Sequence, residues 1–124
     1  MIFHIVKRSE WEAAARIGSY RPASVDAEGF IHCSTLAQLI GTANRFYRGE
    51  KDLVVLCIDE NRLAMPLKFE GPSMPDHDKL DRENADELFP HIYGALNLEA
   101  VTRVIELRCA ADGRFAMPDE LREA

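Results

Sequence analysis

Histidine interrupts three apolar, strand-like stretches of this sequence: His4 in Ile-Phe-His-Ile-Val (residues 2–6), His32 in Gly-Phe-Ile-His-Cys-Ser (29–34) and His91 in Phe-Pro-His-Ile-Tyr-Gly (89–94). Imidazole donates and accepts hydrogen bonds at once and titrates near neutrality, so such positions suit general acid–base work or the orientation of a ligand hydroxyl. Each also has a purely structural alternative, because a buried polar group is usually paired within the core. Alternate strand residues share a face, so His91 and Tyr93 project together, and Gly94 permits close backbone approach. Two polar aromatics side by side suit stacking on a flat ring and bonding its ribose.

His32 shares its face with Phe30 and Ser34, whereas Cys33 points the other way, which places the pair poorly for one metal ion. Ser34 and Thr35 stand where a strand gives way to a helix. Free backbone N–H groups at that junction receive a phosphate or a carboxylate, and simple helix capping accounts for the same residues. Arg45 and Arg48, three apart, either grip a phosphate or lie on a solvated face. His77, in Pro-Asp-His-Asp, reads chiefly as part of a turn. The candidate acid–base residues are therefore His32 and His91, the candidate ligand contacts His4, Ser34, Thr35 and Tyr93, and no metal site is expected.

Stronger signatures are missing. The sequence has no glycine-rich phosphate loop, no G-x-G-x-x-G, no H-E-x-x-H, no C-x-x-C and no G-x-S-x-G, which removes the most readily recognised nucleotide, metal and serine-hydrolase sites.

The elements that must position these residues follow from pattern. Residues 2–6 are β-branched and aromatic, hence a strand, and Ser9 with Glu12 forms a capping-box pattern for a helix carrying Trp11, Ala14, Ala15 and Ile17 inward and ending at Gly18. Residues 19–28 read as a loop and residues 29–34 as the second strand. Thr35 with Gln38 opens a second helix that runs towards Gly49. The unbroken apolar run 53–58 predicts a central strand buried on both faces. Shorter strands are expected at 67–70, 89–93 and 101–108, with a helical turn at 97–100. The charged stretch 76–87 reads as a solvated loop or short helix. Six short strands and two principal helices make a single α+β domain over residues 1–124.

At 124 residues, 47% hydrophobic and 29% charged, the chain has the size and composition of one globular domain. A formal net charge of −6 disfavours nucleic acid as a partner. No apolar run approaches the roughly 18 residues of a membrane span, and the odd set Cys33, Cys57 and Cys109 reads as reduced core packing, so a cytoplasmic protein is expected.

The amino-terminal Ile-Phe-His strand, the 29–34 motif and Phe89-Pro90-His91-Ile92-Tyr93-Gly94 together resemble a bacterial and plant family catalogued as domain of unknown function 952, over nearly the whole chain. That family in turn resembles the ADP-ribosyltransferase-like fold, in which two short, mainly antiparallel sheets hold NAD in a cleft. The resemblance implies that His4 orients the ribose, that Ser34 and Thr35 form a hydroxyl-bearing strand end, and that Tyr93 stacks on the nicotinamide. It implies a nucleotide ligand and transfer of ADP-ribose or a phosphate; the alternative is a binding domain of the same fold without chemistry. Such transferases place a glutamate on a late strand, where this sequence has His91 and Tyr93; Glu106 is a possible substitute.

Overall fold

The computed structural model describes residues 1–71 and 87–122. In chain order these form β1 (Ile2–Lys7), α1 (Arg8–Ile17), β2 (Ser19–Tyr20), α2 (Ala23–Glu28), β3 (Ile31–His32), α3 (Leu36–Phe46), β4 (Leu53–Ile58), β5 (Leu67–Glu70), β6 (Phe89–Ile92), β7 (Leu96–Asn97), β8 (Val101–Leu107) and α4 (Asp119–Arg122). Single 3-10 turns occupy Glu60–Arg62 and Leu98–Ala100. His77 and most of the charged stretch lie outside the described residues.

The apolar run at 53–58 becomes the middle strand of an antiparallel sheet ordered β1-β4-β8, buried along its whole length. Its alternating side chains feed two cores. Val54, Leu56 and Ile58 pack with Ile2, Val6 and Tyr20, and Leu53, Val55 and Cys57 pack with Phe3, Ile5 and Leu39 of α3. A second antiparallel sheet is ordered β3-β6-β5, and β2 pairs with β7 as a small third. The result is a mixed α+β fold with split antiparallel sheets and, among the described residues, eight strands and four helices.

Several expectations need correction. Helix α1 starts at Arg8, directly after β1, and not at a Ser9 cap. The reason is tertiary: the Arg8 N–H donates to the Asp52 carbonyl at 2.9 Å and its guanidinium to the Asp52 carboxylate, which fills the role a local cap would have. Of its expected inward stripe Ala14 is buried and Trp11 half-buried, while Ala15 and Ile17 face solvent. Residues 19–28 are no loop, since they hold β2 and α2. The strand expected over 29–34 is regular only at Ile31–His32, and α3 stops at Phe46 before Gly49.

The second capping box forms as the pattern predicts, with Gln38 Oε1 accepting from the Thr35 N–H at 3.0 Å. Gln38 then donates from Nε2 to Glu87 and to the Leu88 carbonyl, tying α3 to the entry of β6. Thr35→Ala is expected to cost about 1 kcal/mol in urea unfolding, the usual value of a lost N-cap; an unchanged midpoint would show that the box contributes nothing here.

One backbone bridge joins the two main sheets. The Phe3 N–H donates to the Ser34 carbonyl and the Ser34 N–H to the Phe3 carbonyl, each at 2.8 Å. Beyond that bridge β1 follows β4 and β3 follows β6, so the sheets diverge and open a cleft that α3 flanks.

Candidate functional site

The cleft has a volume of about 670 Å³. Strand β1 contributes residues 3–7 to it, and α3 contributes Ala37, Gln38, Gly41, Thr42 and Arg45, the four-residue spacing of one helical face. A Cβ added at Gly41 would meet nothing within 4 Å, so α3 leaves open space there.

His4 lies at the floor of the cleft with both ring nitrogens engaged. Nδ1 is 2.6 Å from the His32 carbonyl and Nε2 is 2.8 Å from the Tyr20 hydroxyl. A carbonyl only accepts, so Nδ1 carries the hydrogen, Nε2 is bare, and the Tyr20 hydroxyl donates to it. Burial holds His4 down at a pKa of about 4, against an ordinary 6.5, so the ring is neutral at pH 7. Burial likewise raises the Tyr20 pKa and keeps the phenol protonated. The group with lone pairs left for a ligand is therefore the Tyr20 oxygen. Sequence reading missed Tyr20, which sits on a two-residue strand with no pattern to announce it.

His32 and His91 are directly opposite each other in the β3–β6 ladder, their rings edge-on with centroids 5.5 Å apart. Both line the cleft, and each is bonded to a carboxylate. His32 Nε2 meets Glu28 at 2.8 Å, and His91 Nδ1 meets Glu70 at 2.9 Å. Helix α2 closes on Gly29 in the left-handed conformation, at φ 95°, and this turn brings Glu28 back onto His32. Phe30 stacks on His91 with centroids 4.0 Å apart and an interplanar angle of 18°.

The remaining candidates divide. Ser34 lines the cleft, its hydroxyl donating to Thr42 at 3.2 Å. Thr35 is absent from the lining and is used in capping α3. Tyr93 is also absent from the lining: its hydroxyl donates to Glu70 at 2.5 Å and its ring lies under the Lys68 ammonium. Arg45 reaches the cleft and Arg48 does not. Glu106 is paired with Arg8 and Arg108 on the β8 edge, away from the cleft, and cannot replace a carboxylate there. Cys33 touches the cleft, but burial pushes its thiol pKa up, which leaves little of the nucleophilic thiolate. Among the described residues no group of three or more His, Cys, Asp or Glu is placed to hold a metal ion, and no helix is long and apolar enough to cross a membrane.

Fold and site define a class: a small α+β protein whose split antiparallel sheets open a cleft lined by histidines, hydroxyls and carboxylates. The chain belongs to the family described as protein of unknown function DUF952, whose model matches residues 5–104. It is similar to protein CC0527 of Caulobacter crescentus: to the crystal structure at 35% identity and a TM-score of 0.78 over 96% of both chains. To the solution structure of CC0527 it is similar at 32% identity and a TM-score of 0.69, over 99% of this chain and 97% of the other. No curated protein matches the sequence.

Proposed function

We propose that the cleft binds NAD or a closely related nucleotide, and that the protein transfers the ADP-ribosyl group of that ligand. What supports this is the His4–Tyr20 pair on the floor of the cleft, where the first strand parts from the second sheet. With its proton committed to His4, the Tyr20 oxygen accepts from a ribose hydroxyl, so His4 acts on the sugar through Tyr20. Ser34, Thr42 and Arg45 offer hydroxyls and a cation further along the wall. The volume fits a ligand of this size, since small-molecule sites span about 300–1,000 Å³. The chemistry such a ligand supplies is an activated bond between ribose C1′ and the nicotinamide nitrogen.

Thermal unfolding with and without millimolar NAD tests the reading. At 100 times its dissociation constant the ligand stabilises the native state by about 2.7 kcal/mol, or roughly 10 °C for a domain of this size. That shift is expected in the wild type and is expected to shrink sharply in Tyr20→Phe, each protein being compared with its own ligand-free midpoint. No shift in a well-folded wild type overturns the reading. A shift without nicotinamide release identifies a binding domain that does no chemistry.

A further inference from the structure

We propose that Glu70 is a positioning residue for His91, fixing the tautomer whose bare Nε2 faces the cleft as the general base of the transfer. This rests on the nucleotide reading and adds to it the group that activates the acceptor.

Glu70 and His91 stand on neighbouring strands. In the β5–β6 ladder Lys68 is directly opposite His91, so Glu70, two residues on, is its diagonal neighbour and reaches across to Nδ1 at 2.9 Å. The same oxygen, Oε1, accepts from the Tyr93 hydroxyl at 2.5 Å. Those two donors hold the Glu70 carboxyl below its usual range, so it is ionised and can only accept. Nδ1 therefore carries the hydrogen and Nε2 is left with its lone pair.

The ring edge that reaches the cleft follows from what lines it. His91 does and Glu70 does not, so the edge turned away from Glu70, which bears Nε2, is the one presented. The ring is fixed in that pose: its side chain is 2% exposed, Phe30 is stacked on one face, and a ring flip would break the bond to Glu70. A carboxylate that orients an imidazole and stabilises its protonated form, while the far nitrogen does the proton transfer, is an arrangement with large effects on rate.

In the proposed step His91 Nε2 takes the proton of a hydroxyl or water as that oxygen bonds to ribose C1′. The bond from C1′ to the nicotinamide nitrogen breaks, and its electron pair leaves with neutral nicotinamide. The imidazolium then faces the Glu70 carboxylate until its proton returns to solvent.

Nitrogen-15 NMR of the histidine rings at pH 7.5 reads the tautomer without any activity. In the wild type, His91 is expected as the Nδ1–H form, and Glu70→Gln is expected to give a mixed or reversed tautomer while the amide spectrum elsewhere stays native. An Nε2–H form in the wild type, or a tautomer unmoved in Glu70→Gln, overturns the inference. Adding NAD is expected to shift the His91 Nε2 resonance; binding elsewhere in the spectrum with Nε2 unmoved overturns this inference while leaving the nucleotide reading intact. Where the wild type releases nicotinamide, Glu70→Gln is expected to lower kcat at least about tenfold with KM little changed and to move the acidic limb of the pH profile; an unaltered profile overturns it.

Discussion

Acidification from pH 6.5 to pH 4 is expected to remove about 3 kcal/mol of stability through His4 alone. In the unfolded chain the imidazole takes a proton near its ordinary 6.5, and in the folded protein burial delays this to about 4. Between those values the unfolded state holds the extra proton, so falling pH favours unfolding, and the contribution is fully present above about 6.5. At about 1.4 kcal/mol per pH unit the gap amounts to about 3 kcal/mol, a large share of the total stability of a small domain. The structural cause is specific. A proton on Nε2 would turn the acceptor for Tyr20 into a second donor pointing at it, and burial of the ring penalises the charge. Urea unfolding at intervals from pH 7.5 to 4 reads the slope, and His4→Gln is expected to flatten it because an amide does not titrate. A slope that persists in His4→Gln would assign the acid lability to other groups and remove His4 from the account. Glu70, whose carboxyl is held low by Tyr93 and His91, contributes a further loss as pH falls through its folded value.

The same residue shows what the sequence made legible and what it did not. His4, His32 and His91 stood out because each interrupts an apolar strand, and local pattern was enough to identify β1, β4, β6 and β8. Their partners were not accessible in the same way. Tyr20 lies 16 residues from His4 and Glu70 lies 21 from His91, and both contacts depend on strand order and register, which no local window contains. Glu28 is the exception: it is four residues from His32 and was readable in principle once α2 and its Gly29 cap were recognised. That helix has six residues and β2 has two, too few for periodicity to register. Ser9 and Glu12 misled in the opposite sense, offering a good local cap to a helix whose start is set by Asp52, an unusual residue at φ 62° far along the chain. Tyr93 was expected to project beside His91 into the site; the two meet the same Glu70 carboxylate, but Glu70 and Lys68 hold the Tyr93 hydroxyl and ring outside the lining of the cleft.

Leu56→Ala is expected to destabilise the protein by about 3 kcal/mol at pH 7, within the usual range of about 2–5 for a buried leucine. Leu56 is fully buried in the middle of the central strand, between β1 and β8, where neither neighbour can collapse into the space without breaking a ladder. Its loss therefore leaves a cavity as well as forfeiting the transfer energy of the side chain. The position matters to the site because Leu56 is directly opposite His4, and side chains paired in this way stand about 4.5–5.5 Å apart at Cβ. A cavity there, bordered by an imidazole and the Tyr20 ring, is polar enough on one side to admit water. Water beside His4 relieves the desolvation that depresses its pKa, so the acid-dependent loss between pH 6.5 and 4 is expected to shrink in Leu56→Ala even as overall stability falls. Measuring the pH slope in both proteins separates the two effects. A variant that is weaker at pH 7 with an unchanged slope would mean that the cavity stays dry, and that the environment of His4 is set by β3 and Tyr20 and not by the central strand.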